Sequence, residues 1–260
     1  MELIKVKNGD YDYYEELLLK RDALRKDAGS IMTAYIKEFG DLVKDSYEKK
    51  VECIKLKKQL AYCQMQINMG RSIDADAMHS HIEFEMTEYY RKIKEIADDN
   101  ERARKAKTSS EATLLAVKKL YRKIAKKLHP DINPKTNGDK DLSDLWNRVL
   151  IAYRANDIEG MRELEVLTVK AMEQMGENSI VIDIPDIADK ISGLEKEIDE
   201  IKTTDPYLYK ELLDDDSLCQ DEKDKFEKDI SEYSEYADDL RKTLEDMLTQ
   251  NGVTIKWQMK

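Results

Sequence analysis

The sequence predicts an all-α fold, on three observations. Nine Gly and four Pro among 260 residues leave long stretches without a helix breaker. Good helix formers (Glu, Lys, Leu, Ala, Met and Arg) dominate the composition. Apolar residues recur at spacings of three and four through most of the chain. Charged residues make up 38% against 41% hydrophobic, a balance that suits hairpins with much exposed face better than a deep globular core. The expected architecture is therefore extended: two antiparallel, coiled-coil-like helical hairpins flanking a small central helical domain. The expected modules are residues 1–107, 108–178 and 179–260.

After an alternating start, Leu3 to Val6, helical periodicity runs from Tyr11 to about Asn68. Its clearest stripe begins at Tyr35, Phe39, Leu42 and Val43 and continues through Tyr47, Val51, Ile54, Leu60 and Ile67, with bends expected near Gly29 or Gly40. The stretch NMGRSIDAD reads as a turn, Gly70 suiting a helix C-terminus and Ser72, Asp74 or Asp76 capping the next start. Ile82, Met86, Tyr89, Ile93 and Ile96 then form the stripe of a second, antiparallel helix from Met78. At the far end, Ile187, Ile191, Leu194, Ile198 and Ile201 form one heptad stripe, and Phe226, Ile230, Tyr233, Ala237, Leu240, Leu244 and Met247 another. These predict a second hairpin, with helical content at Tyr207 to Leu213. The runs Ile180 to Ile184 and Val253 to Trp257 alternate like strands that pair with each other or with Leu3 to Val6.

The central segment carries the chemistry. Ser109 or Ser110 suits an N-cap, and a helix then runs to about Leu128. At 100° per residue, Val117, Leu120, Tyr121, Ile124 and Leu128 share one arc. Lys118, Lys119, Arg122, Lys123, Lys126 and Lys127 fill the other side, six cations with no anion, so the rest of this −11 chain sums to −17. Clustering like charge on one helix costs repulsion, which favours a partner of opposite sign. Pro130 disfavours helical geometry at the residue before it, so the helix stops at His129, and His129 and Asp131 are expected exposed on a stiff corner before a polar loop. From Leu142 onward, Leu145, Trp146, Val149, Ala152 and Tyr153 form an apolar face able to pack back on the first helix. Asn156-Asp157 caps a further helix through Met161, Leu164 and Leu167.

VKKLYRKIAKKLHPD followed by LWNRVLIAY resembles the second helix, signature triplet and third helix of the J domain of DnaJ-type co-chaperones, with Trp146 where the family usually has Phe. The likeness covers roughly residues 110 to 155. It implies a non-enzymatic co-chaperone or adaptor that docks on a DnaK-type heat-shock chaperone and stimulates its ATP hydrolysis. His129, Pro130 and Asp131 would be the trigger, and Tyr121, Arg122, Lys123, Lys126 and Lys127 the docking face. The family's Tyr-x-x-Leu-Gly first helix has no counterpart in ERARKAKTSS, and the helix from Met78 to Lys105 is expected to supply the third packing layer. No Gly/Phe-rich linker or zinc-binding cysteine repeat is present in this sequence, which argues against a general chaperone for unfolded clients. The hairpins would instead hold a client or partner protein whose identity the residues do not specify.

A coiled-coil scaffold, with the central unit as a packing module, is the alternative. Nucleic-acid binding by the basic helix is disfavoured, because the surrounding acidity repels a polyanion. A catalytic His129-Asp131 pair lacks a nearby nucleophile, metal ligand or phosphate cradle. Cys53, Cys63, His79 and His81 lie on facing helices, but at spacings that signal buried thiols and a polar turn, so no metal or cofactor is expected. Three cysteines without CxxC spacing and no apolar run of membrane-spanning length lead us to expect a cytoplasmic protein without membrane contact. Residues 205–239 carry a local charge of −10, and such a field beside a +6 helix invites an intramolecular contact.

Overall fold

Helix boundaries follow the breakers and caps that the sequence supplies. The computed structural model describes residues 4–6, 10–106, 109–174, 180–182 and 186–252. Among them α1 spans Tyr11–Asn68, α2 Ala75–Lys105, α3 Glu111–Leu128, α4 Lys135–Gly138, α5 Lys140–Arg154, α6 Ile158–Gln174, α7 Ile187–Thr203, α8 Tyr209–Asp214 and α9 Asp216–Gln250. α1 continues through both Gly29 and Gly40 without interruption. Gly70, at φ +65°, closes the turn after α1, and the Asp74 carboxylate caps α2 by accepting from the backbone N–H groups of Asp76 and Ala77. Strand β1, Ile4–Val6, pairs in parallel with β2, Ile180–Ile182, with Ile4 opposite Ile180. This is one of the pairings expected for the alternating runs; Leu3, residues 183–184 and Val253 to Trp257 lie outside the described residues. The fold is all-α apart from this pair.

The chain forms two compact units, residues 1–32 with 107–208 and residues 33–106 with 209–260. They cut across the three consecutive modules expected from sequence, for two reasons. α1 is long enough to supply both units. The stripes of α7 and α9 also bury in different cores.

In the unit built from residues 33–106 and 209–260, α1 and α2 are antiparallel. Lys37 meets the Ala106 carbonyl, Asn100 donates to the Gly40 carbonyl at 2.7 Å, Lys55 pairs with Glu83, and Cys63 packs on Met78, so numbers fall along α2 as they rise along α1. α9 runs parallel to α1: Glu38 pairs with Lys223, the Cys53 thiol faces the Tyr233 carbonyl at 3.2 Å, and Glu52 pairs with Arg241. Val51, Leu56, Met78, Ile82, Met86, Ala237, Leu240 and Leu244 fill this core. Each helix offers only a stripe, and isolated stripes are marginal in water, so the three helices stabilise one another. Burial raises the Cys53 and Cys63 thiols above their ordinary pKa, which keeps them protonated.

The unit built from residues 1–32 and 107–208 has two adjoining cores. Val117, Tyr121, Ile124 and Leu128 of α3 meet Leu145, Trp146, Val149 and Tyr153 of α5 and Met161 and Leu164 of α6, with Leu19 of α1 alongside. The arc expected on α3 and the face expected on α5 thus pack together. The third layer comes from α6 and the start of α1, correcting the expectation that α2 would supply it; Met78, Ile82 and Met86 are buried in the other unit. A second cluster joins Tyr11, Tyr14, Leu17, Leu18 and Leu24 of α1 to Leu194 and Ile198 of α7, and receives Ile132 from the loop after α3.

Candidate functional site at the end of α3

The α3 terminus forms as its residue types dictate. Ser110 accepts a hydrogen bond from the Thr113 N–H at the N-cap, and Glu111 lies in the first turn beside the positive end of the helix dipole. At the other end His129 takes φ −59° and ψ 128°, the extended geometry that Pro130 imposes on the residue before it. The polypeptide then folds back tightly. The N–H groups of Ile132 and Asn133 both donate to the His129 carbonyl, at 2.9 and 2.7 Å, and the Asn133 amide caps the Lys127 carbonyl at 2.9 Å. The stretch expected as an open polar loop contains the single-turn helix α4, and Asp139 caps α5.

This back-fold corrects the expectation of an exposed His129. The residue is 5% exposed, because Ile132 is drawn into the α1–α7 cluster and the imidazole is pressed between α1 and the edge of Trp146, ring centroids 5.1 Å apart. Asp131 does project outward, its side chain 44% exposed, and Pro130 is half-buried. The Asp131 N–H donates to His129 Nδ1 at 3.1 Å, and Arg21 Nη2 lies 3.5 Å from Nε2. Nε2 faces Asp22 Oδ2 at 3.6 Å.

Tyr121 lies where its place on the apolar arc puts it, and not on the open docking face that the resemblance implies. It is 1% exposed and stacked on Tyr153 at 3.9 Å, so it belongs to the core and not to an open face. A buried phenol needs a hydrogen-bond partner, and its hydroxyl donates to Asp22 Oδ2 at 2.6 Å. Burial of Tyr121 and the Asp22 charge push the phenol's pKa up.

Asp22 organises the cluster. Burial opposes its ionisation, yet hydrogen bonding from His129 and Tyr121 and the adjacent Arg21 guanidinium hold its carboxyl down at about 2. Arg21 donates to Asp22 Oδ1 through Nε at 3.1 Å and Nη2 at 2.9 Å, and reaches Glu197 of α7 at 3.8 Å and Asp131 at 4.0 Å. Arg25 also pairs with Glu197.

The remaining cations of α3 divide by surroundings. Arg122 and Lys119 are exposed, and Lys127 is half-buried. Lys123 pairs with Glu165 of α6 at 3.1 Å, and Lys126 with Glu15 of α1 at 2.6 Å. Beside them lies a cleft of about 540 Å³ lined by Glu15, Glu16, Leu19, Asp27, Lys118 and Arg122. Lys26 sits 4.0 Å over the Tyr153 ring, and burial together with the Lys118 charge lowers its pKa to about 8 against the opposing pull of Asp27.

Arg21, Asp22 and Glu197 were not singled out from sequence. The legible signal was Leu17-Leu18-Leu19: three consecutive apolar residues exceed one helical stripe, and here Leu17 and Leu18 bury in one cluster while Leu19 buries in the other. A helix gripped on two sides places the intervening Arg21 and Asp22 at a seam. No family model matches the chain, and neither the curated proteins nor the solved structures offer a match. Among the described residues no helix is long and apolar enough to cross a membrane.

Proposed function

We propose that the chain is a non-enzymatic, cytoplasmic J-domain-like co-chaperone or adaptor, which docks on a DnaK-type heat-shock chaperone and stimulates that partner's ATP hydrolysis. One observation carries the reading. A basic helix ends at His129-Pro130-Asp131 and packs antiparallel on α5, with Tyr121 against Tyr153 and His129 against Trp146, in the order the resemblance implies. Arg122, Lys123, Lys126 and Lys127 supply the electrostatic part of docking, which steers association and fixes register. Asp131 and Pro130 present the trigger, with His129 positioned behind them. The units' other helical faces hold the client or partner protein.

The burial of His129 and Tyr121 favours a second reading, in which the triplet is a packing corner of a coiled-coil scaffold. Charge reversal separates the two. Arg122→Glu is expected to weaken binding to a DnaK-type chaperone in the presence of ATP by about tenfold, the size of an exposed charge in a complementary interface. Binding indifferent to Arg122→Glu would favour the scaffold.

A further inference from the structure

The groups a chaperone would read are already occupied by the chain's own first helix. Asp22 of α1 accepts from the Tyr121 hydroxyl at 2.6 Å and faces His129 Nε2 at 3.6 Å. Arg21 reaches the Asp131 carboxylate at 4.0 Å, and Glu15 takes Lys126 at 2.6 Å. Four of the eight residues assigned to docking are thus engaged from α1. The partners are of the kind a docking site must supply: a carboxylate on Lys126, a hydrogen-bond acceptor on the Tyr121 hydroxyl and a guanidinium on the trigger carboxylate.

The seam is built to part. Leu19 is the α1 side chain in the α3 core, whereas Tyr14, Leu17, Leu18 and Leu24 bury with α7. The cleft of about 540 Å³ leaves the two helices incompletely packed along their charged edges. Glu197 of α7 braces the closed position by pairing with both Arg21 and Arg25. Ile132 is the apolar peg that holds the loop after the triplet in the α1–α7 cluster. Within the unit that holds α3, the covering anions come from α1 and α6, and not from one acidic segment.

We propose that residues 11–32 of α1 are an autoinhibitory latch, closed over the docking face by Asp22 on Tyr121 and His129, Glu15 on Lys126 and Arg21 on Asp131, which must lift before a DnaK-type chaperone can bind. The latch rests on the reading of α3 and the triplet as a docking face. A partner that binds only the open form sees its affinity reduced by the open fraction, so a latch closed nine times in ten or more lowers apparent affinity about tenfold or more.

The test uses the full chain with Glu15→Lys and Arg21→Glu combined. Both substitutions lie on α1, and neither alters a residue assigned to docking. Amide hydrogen exchange over residues 11–32 reports whether the segment loosens, and acceleration of ATP hydrolysis by a DnaK-type chaperone is titrated alongside. The expected result is faster exchange and a half-maximal concentration lower by about tenfold or more, with stimulation lost when Asp131→Asn is added. A loosened variant that stimulates at the parent's half-maximal concentration overturns the latch and leaves the docking reading standing. Absence of stimulation by parent and loosened variant alike overturns the docking reading, and the latch with it. Should the double variant lose helicity, Glu197→Lys, at the half-exposed brace, is expected to shift the titration the same way by a smaller factor, and an unchanged titration overturns the latch.

Discussion

Asp22 is the residue on which the site turns, because a nearly buried carboxylate is tolerated only where it is paired and hydrogen-bonded. Its folded pKa of about 2 lies below the ordinary 3.8, so the ionised form is favoured by folding. The stability it contributes is fully present above about pH 4 and is lost as pH falls through about 2, and a displacement of this size corresponds to roughly 2 kcal/mol. Asp22→Asn is therefore expected to destabilise the protein at neutral pH, with the difference from the parent shrinking between pH 4 and pH 2 in parallel thermal melts. A constant difference across that window would assign the effect to lost packing. His129 and Asp131 call for different experiments despite being two residues apart. His129→Gln changes a buried contact with Trp146 and Asp22 and is expected to lower stability by about 1–2 kcal/mol, so loss of activity in it is ambiguous. Asp131→Asn changes an exposed carboxylate and is expected to leave the melting temperature within about 1 °C while abolishing chaperone stimulation.

At the scale of elements, α1 shows how one helix meets different constraints along its length. Gly29 and Gly40 both sit inside it, where Gly costs about 1 kcal/mol relative to Ala. A Cβ at Gly29 meets nothing within 4 Å, whereas at Gly40 it would collide with the Asn100 side chain, whose amide donates to the Gly40 carbonyl. Gly29→Ala is expected to raise denaturation free energy by up to about 1 kcal/mol and Gly40→Ala to lower it, as chemical denaturation measures directly. Element boundaries were legible because they are local: Pro130 ends α3, Asp74 caps α2 and Gly70 closes α1, each through its own backbone. Partner choice was not legible, because a heptad stripe specifies an apolar face without specifying which face covers it. Leu194 and Ile198 of α7 therefore pack on the start of α1, while Leu240 and Leu244 of α9 pack with α1 and α2, in place of the expected hairpin between α7 and α9. The exposure of His129 failed for the same reason, since the sequence around Pro130 dictates a corner and leaves its cover to residues more than a hundred positions away.

At the scale of the whole molecule, a chain of net charge −11 carries six cations and no anion between Ala112 and His129, so a partner docking there is expected to be acidic. Complex formation with a DnaK-type chaperone is expected to weaken as ionic strength rises, since exposed charges are screened beyond about 8 Å at physiological salt. Insensitivity to salt in a titration from 50 to 500 mM would place the interface on an apolar surface instead. The same long helix supplies both compact units, and residues 11–32 belong to the one that holds α3 and the proposed docking face. The most direct measurement is single-turnover ATP hydrolysis by a DnaK-type chaperone with saturating full-length chain carrying Glu15→Lys and Arg21→Glu, with and without Asp131→Asn. A J-domain-like trigger requires acceleration by the first and a return to the chaperone's own rate with the second. Equal rates in the two, whether both accelerated or both basal, would contradict it.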